Sequence, residues 1–226
     1  MKIDKWNFYH AILMIISLIV SIIIDSYVVI VGVGILSFLN YWRVNFSFLS
    51  DFKPFGGYAN WVTALRLLLF ATCLLYSDVF SPIQFTVLMT SVVCLDALDG
   101  YLARRYNHSS RFGEFFDMEV DAFFVLGMCL FFYLSKDIPI WVLFPGALRY
   151  LFRIIKELPS KKNFEEKRRS YARYIAGVYF VILLVSILLP SPYLIYSLGL
   201  GSVLVSISFM ISFFELFKWR DESTVL

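Results

Sequence analysis

Charge is what this 226-residue chain has little of: 16% of its residues are Asp, Glu, Lys or Arg, against 60% hydrophobic and 19% aromatic. A soluble domain is typically about 25% charged and about 45–50% apolar. Too little charge is present to cover the surface of a water-soluble fold. The same deficit excludes an intrinsically disordered chain and a nucleic-acid-binding protein, both of which depend on dense charge. Histidine is nearly absent; His10 and His108 alone argue against a His-rich zinc or haem site. Cys73, Cys94 and Cys129 lie in apolar stretches without metal-ligand spacing, so they read as packing residues and not as a disulfide framework. No internal repeat or low-complexity tract is visible. No small-residue cleavage site follows Lys2, Lys5 and the first apolar run, which predicts an uncleaved first span.

What is present is apolar length, with a mean hydropathy of +0.75. A helix needs about 17–25 apolar residues to cross a bilayer core. The pattern predicts an all-α polytopic membrane bundle with eight spans, at 8–24, 27–42, 60–77, 81–103, 114–134, 138–156, 171–189 and 193–216. Asp25-Ser26, the segment from Phe48 to Gly57, Ser77-Asp78, Ser81-Pro82 and Pro190-Ser191-Pro192 supply the breaks. One domain is the natural count at this length.

The placement of positive charge tests the span count. Eight spans put Lys2, Lys5, Arg43, Lys53, Arg104, Arg105, Arg111, the 156–173 cluster, Lys218 and Arg220 on one side, and only Lys136 on the other. The positive-inside rule then places both termini in the cytoplasm. The expected location is the inner or plasma membrane of a bacterium.

Carboxylates are costly inside membrane helices and call for a reason. Asp96 and Asp99 sit in the span 81–103, at i,i+3; Asp117 and Asp121 sit in the next, at i,i+4. Each pair lies on one helix face. The basic loop 104–112 makes the two helices antiparallel neighbours, with Asp96 level with Asp121 and with Asp99 and Asp117 nearer the surface. Gly100 and Gly113 remove bulk where something approaches the backbone. Unit charges 4 Å apart repel by about 4 kcal/mol at an effective dielectric near 20, so protons or cations must neutralise the cluster. All-oxygen ligands select hard cations, Mg²⁺ or Mn²⁺, and two divalent ions balance four carboxylates. Paired metals suit phosphoryl chemistry. Asp78 and Asp137, by contrast, read as interfacial or helix-capping groups.

The pattern Asp96-x2-Asp99-Gly100-x2-Ala103-Arg104-x8-Gly113-x3-Asp117-x3-Asp121 resembles the signature of the CDP-alcohol phosphatidyltransferases at eight fixed positions over 26 residues. Asn60-x2-Thr63-x2-Arg66 is similar to the family's first-helix pattern. The likeness covers about 60–217 and implies a six-helix catalytic domain over 60–226, preceded by a transmembrane hairpin and interfacial segment over 1–59. It further implies that this domain transfers a phosphatidyl or phospho-alcohol group from a CDP-linked donor to an alcohol and releases CMP. By the same resemblance Asp96, Asp99, Asp117 and Asp121 hold the metals, and Asp121 also acts as general base. Asn60, Thr63, Gly100, Arg104 and Ser110 contact the CDP donor, and Ala103 and Gly113 permit close helix approach. Arg104 can bind a phosphate through two N–H groups, or it can be a snorkelling, positive-inside residue like Arg105 and Arg111. Arg66 lies within a span and is expected to face the pocket.

Arg149, Arg153 and Lys156 fall on one helix face and are followed by Lys161, Lys162, Lys167, Arg168, Arg169 and Arg173. The 161–169 cluster reads as attraction to anionic headgroups. Arg149 and Arg153 lie deeper and are candidates to bind a phosphorylated acceptor. The expected function is phosphatidyl transfer from CDP-diacylglycerol to an alcohol. The alternatives are transfer of a phospho-head group from a CDP-alcohol to diacylglycerol, a divalent cation or proton transporter, and a non-catalytic scaffold. The expected partners are the CDP-linked donor, the alcohol acceptor and membrane lipids, with no nucleic acid; a homodimer is left open.

Overall fold

The computed structural model describes the backbone of residues 2–50, 55–106, 110–157 and 170–223, and the side chains of 5–50, 55–96, 98, 101, 105–106, 110–157 and 171–217. The helices are α1 (Lys2–Ile23), α2 (Val28–Val44), α3 (Phe46–Leu49), α4 (Tyr58–Leu75), α5 (Pro82–Arg105), α6 (Arg111–Ser135), α7 (Phe144–Lys156), α8 (Ser170–Ser186) and α9 (Ser191–Ser223). No strand occurs among the described residues.

Local chemistry sets the boundaries. Asp25 ends the first helix in the left-handed region at φ 52°, a conformation Asp tolerates better than most residues. Gly56 and Gly57 both take φ 76° before α4, and a Cβ on Gly56 would also meet the Trp42 ring at 3.2 Å. At the start of α5, Ser81 and Gln84 cap each other: the Gln84 amide donates to Ser81 Oγ (3.3 Å) and the Ser81 amide to Gln84 Oε1 (2.9 Å).

Five of the expected spans coincide with helices to within three residues, while α1 begins six residues before its expected span and α9 ends seven residues after its own. The stretch 138–156 differs. Asp137 turns the chain at φ 52°, a short 3-10 turn runs over Ile140–Leu143, and Pro145 stands in the first turn of α7, which has only 13 residues. Proline accepts a first-turn position but cannot extend a helix backwards through its missing N–H. Of the two readings, interfacial or helix-capping, Asp137 does not cap a helix but turns the chain, and Asp78 sits in the 3-10 turn Ser77–Val79. Three helical stretches are long and apolar enough to cross a membrane: Lys5–Ile23, Tyr58–Leu75 and Ser191–Phe217. Val28–Val44, Pro82–Asp96 and Tyr171–Ser186 are apolar but shorter. The protein is a helical membrane protein.

Six helices close into a ring. Around it α4 packs on α5, α5 on α8, α8 on α9, α9 on α7, α7 on α6, and α6 on α4. The α1–α2 hairpin attaches from outside, α1 against α7 and α6, and α2 against α4. Its inner face is aromatic and partly polar. Trp6 Nε1 donates to the Ser37 carbonyl (3.0 Å), and His10 Nδ1 and Ser37 Oγ are 2.8 Å apart. Phe38 meets Phe116 and Phe123 edge-on. The Tyr41 hydroxyl donates to the carbonyl of Phe112 in the first turn of α6 (3.2 Å). The hairpin therefore grips the helix that carries Asp117 and Asp121.

Candidate active site

Helix α4 supplies the centre of the site. Asn60, Thr63 and Arg66 recur every third residue, and all three are buried. Asn60 Nδ2 donates to the Gly56 carbonyl (2.7 Å), and Thr63 Oγ1 donates to the Ala59 carbonyl (3.1 Å). This leaves the other end of the Asn60 amide, Oδ1, against Gly113: a Cβ there would lie 2.7 Å from it. Ser110 Oγ accepts from the Gly113 amide (3.1 Å), an N-cap that starts α6 where the chain returns from the basic loop.

Arg66 is 2% exposed and reaches three carboxylates at once. Its Nη1 pairs with Asp96, and its Nη2 with Asp117 (2.6 Å) and Asp121 (3.1 Å). The carboxylates are far more open than the guanidinium, with side chains 43%, 37% and 35% exposed against 3%. One oxygen from each of the three lies within 4.8 Å of the others. Oxygens that share the shell of a hard divalent ion are separated by comparable distances. The donor set is all oxygen, carries an excess of negative charge and opens to one side, so the residues fit a divalent cation.

The arrangement differs from a simple facing pair of helices. Among the described residues, α5 and α6 each pack more closely along α4 than on each other. Helix α4 is wedged between them, close to α6 because Gly113 has no side chain, and its arginine fills the gap between the carboxylates. Asp99, Gly100, Ala103 and Arg104 belong to α5, but their side chains lie outside the described residues, as do those of Lys53, Lys161, Lys162, Lys167, Arg168, Arg169, Lys218 and Arg220.

Arg149 and Arg153 point elsewhere. Arg149 Nη2 lies 3.2 Å from Glu119 Oε1, and Arg153 Nε lies 3.6 Å from the same oxygen. Glu119 is 1% exposed and lies between Asp117 and Asp121 in sequence, which on a helix puts it on the opposite face. The Arg153 guanidinium also stacks on Phe115, whose ring it shares with Arg111. Sequence reasoning overlooked Glu119. The signal was a carboxylate inside a predicted span, two residues from each aspartate, with two arginines i,i+4 in a later span to neutralise it.

Beside Arg66 lies a small cavity of about 20 Å³ lined by Phe70, Val92, Val93, Val120, Phe124 and Phe180 together with Arg66, Asp96 and Asp121. Residues 57–214 match the sequence model of a family described as CDP-alcohol phosphatidyltransferase; the matched stretch begins just before α4 and leaves out α1 and α2. No curated protein and no solved structure matches the chain.

Proposed function

The chain belongs to the CDP-alcohol phosphatidyltransferase family, a premise from which we propose that it transfers a phosphatidyl group from CDP-diacylglycerol to an alcohol and releases CMP. The coarse activity follows from membership: a membrane enzyme of phospholipid synthesis acting on a CDP-linked substrate and an alcohol acceptor. The observation that carries the finer reading is the half-open group of Asp96, Asp117 and Asp121 around one sealed arginine.

Asp96, Asp117 and Asp121, with Asp99 beside them on α5, would hold two Mg²⁺ or Mn²⁺ ions. When bound, such ions neutralise the carboxylates and polarise the phosphoryl group. Asp121 takes the proton of the acceptor hydroxyl at a carboxylate oxygen. The acceptor oxygen forms a bond to the phosphorus that carries diacylglycerol, and the bond from that phosphorus to the bridging oxygen breaks, so that CMP leaves. In this reading Asn60, Thr63, Gly100, Arg104 and Ser110 would contact the donor, and Gly113 and Ala103 would permit close helix approach. Arg149 and Arg153 on α7, both beside Glu119, would bind a phosphorylated acceptor. Both termini and the site face the cytoplasm in this reading, as the one-sided Lys and Arg placement requires, and the host membrane is the inner or plasma membrane of a bacterium.

The test is an assay of purified protein with labelled CDP-diacylglycerol and a panel of alcohols (serine, glycerol phosphate, inositol phosphate and choline), following CMP. The expected result is acceptor-dependent CMP release that EDTA abolishes and Mg²⁺ or Mn²⁺ restores. Turnover only with a CDP-linked head group and diacylglycerol would reverse the direction of transfer. Full activity in excess chelator would sink the metal assignment.

A further inference from the structure

We propose that Arg66 is an exchangeable counter-ion: it neutralises the carboxylates while they lack metal, and it moves onto the donor's diphosphate when cations take its place. The inference rests on the metal and donor reading above and adds a role for Arg66 that couples the two.

Two observations lead to it. The first is competition for the same atoms. The Arg66 guanidinium engages oxygens of Asp96, Asp117 and Asp121, and these three residues are also the cluster with metal-ligand spacing. A divalent ion among those oxygens would stand within a few ångströms of a fixed positive charge, and each cation weakens the hold of the other. The second is the direction left open. On one side the guanidinium meets the aromatic and aliphatic side chains of Phe70, Val92, Val120 and Phe124, around a cavity of about 20 Å³ whose rim also includes Asp96 and Asp121. That is space for about one water and too little for a solvated guanidinium. A buried charge that loses its partner is strongly destabilising, so retreat inward is closed. Outward lie the exposed sides of the three carboxylates, where the donor must present its diphosphate. A planar guanidinium binds phosphate oxygens with the same two-pronged geometry it uses on carboxylates. The exchange keeps every charge paired: carboxylates with cations, and guanidinium with diphosphate.

The consequence is an opposed pair of effects. Replacing Arg66 removes a competitor of the metal and a ligand of the donor, so metal affinity should rise while donor affinity falls. A purely structural arginine would lower both. The measurement uses the full chain in detergent. Mn²⁺ binding is followed by the loss of the free-ion paramagnetic resonance signal without nucleotide, and CDP, a soluble diphosphate probe, is titrated at saturating Mn²⁺.

In Arg66→Gln, Mn²⁺ should bind tighter by roughly tenfold or more, and CDP weaker by roughly tenfold or more. Thermal unfolding should show the metal-free variant less stable than the wild type and recovered by Mg²⁺. Arg66→Lys keeps the charge without the fork; its Mn²⁺ affinity should stay near that of the wild type while CDP weakens, which keeps the idea testable if the Gln variant does not fold. Mn²⁺ binding unchanged or weaker in Arg66→Gln, or CDP binding unchanged in both variants, overturns the exchange. Failure of wild-type protein to bind Mn²⁺ even with CDP present overturns the metal reading itself, a different outcome.

Discussion

Helix α6 carries carboxylates on two opposite faces, and the two faces are built to different ends. On one, Asp117 and Asp121 join Asp96 around a single arginine, so negative charge is in excess, and the carboxylates are 35–43% exposed. On the other, Glu119 faces two arginines, Arg149 and Arg153, and the carboxylate side chain is 2% exposed. Both faces carry carboxylates, aspartate on one and glutamate on the other, and the positions are two residues apart. Charge balance and openness separate them. An open excess of carboxylate invites a cation from outside. A sealed carboxylate with two arginines is already neutralised by the protein and ties α6 to α7.

The largest expected effect lies on the open face. Asp121→Asn keeps the shape of the side chain but removes the proton acceptor, and should lower kcat by about 10²–10⁴, the usual worth of a positioned base. Asp96→Asn should weaken metal binding instead, so raising Mg²⁺ should recover part of its loss. The check is kcat against Mg²⁺ concentration for both variants, with donor binding followed by CMP competition. Equal rescue of both by Mg²⁺ would make Asp121 one more metal ligand.

On the sealed face the expected loss is stability. Glu119→Gln leaves two arginines without their carboxylate, and breaking a buried ion pair from one side costs about 3–5 kcal/mol. Thermal unfolding should fall markedly, while Mn²⁺ affinity of the folded protein stays near the wild-type value. If Mn²⁺ affinity dropped as much as in Asp117→Asn, the two faces would be one electrostatic unit and the contrast between them would be lost.

Arg153→Ala sharpens the same contrast. Arg149 remains hydrogen-bonded to Glu119 at 3.2 Å, so the carboxylate stays paired and what disappears is the second guanidinium. The KM of a phosphorylated acceptor should rise roughly tenfold, with the donor KM unchanged, as expected for the loss of a charge-assisted contact. Equal small changes in both, with a lower unfolding temperature, would assign Arg153 to Glu119 alone.

The sequence made the open face legible because its residues are expensive. Aspartates inside apolar helices at i,i+3 and i,i+4 have few explanations, and the six-helix unit follows from the apolar runs and the breaks between them. Three things were less legible. The wedge of α4 between α5 and α6 depends on the contact of Asn60 with Gly113, a long-range approach that no local pattern encodes. Arg66 was expected to face the pocket, yet its three-way pairing needs the spatial convergence of α4, α5 and α6. Glu119 hid beside more conspicuous neighbours, since its partners lie 30 or more residues away on α7. The 138–156 span read as one helix because it is mostly apolar apart from Arg149, Arg153 and Lys156; the turn at Asp137 and the prolines at 139 and 145 shorten it.

A smaller effect is expected where α4 meets α6. A methyl on Gly113 would stand 2.7 Å from Asn60 Oδ1 and 3.3 Å from Ser110 Oγ. Gly113→Ala therefore pushes α4 and α6 apart or turns the Asn60 amide away, and overpacking of this kind costs about 1–3 kcal/mol. Arg66 rides on α4, so its grip on Asp117 and Asp121 should loosen and kcat should fall, with Arg149 and Arg153 undisturbed. Restored thermal stability in Gly113→Ala combined with Asn60→Ser would locate the clash at that contact.

The smallest expected effect tests whether the α1–α2 hairpin sets the rotation of α6 and so governs both faces together. Tyr41 stacks on Phe112 with ring centroids 4.6 Å apart and donates its hydroxyl to the Phe112 carbonyl. That carbonyl belongs to the first turn of α6, one residue before Gly113 and five before Asp117. Tyr41→Phe keeps the ring and removes only the hydrogen bond, worth about 0.5–1.5 kcal/mol net. Unfolding temperature should drop slightly, with kcat and Mn²⁺ affinity both within about twofold of the wild type. Tyr41→Ala also removes the stacked ring, whose burial and aromatic contact contribute several kcal/mol more. If the hairpin sets the rotation of α6, Tyr41→Ala should lower kcat and Mn²⁺ affinity in parallel, because Asp117 and Asp121 turn together relative to Asp96. Loss of stability with unchanged Mn²⁺ affinity would leave the hairpin as an anchor that carries no information to the site.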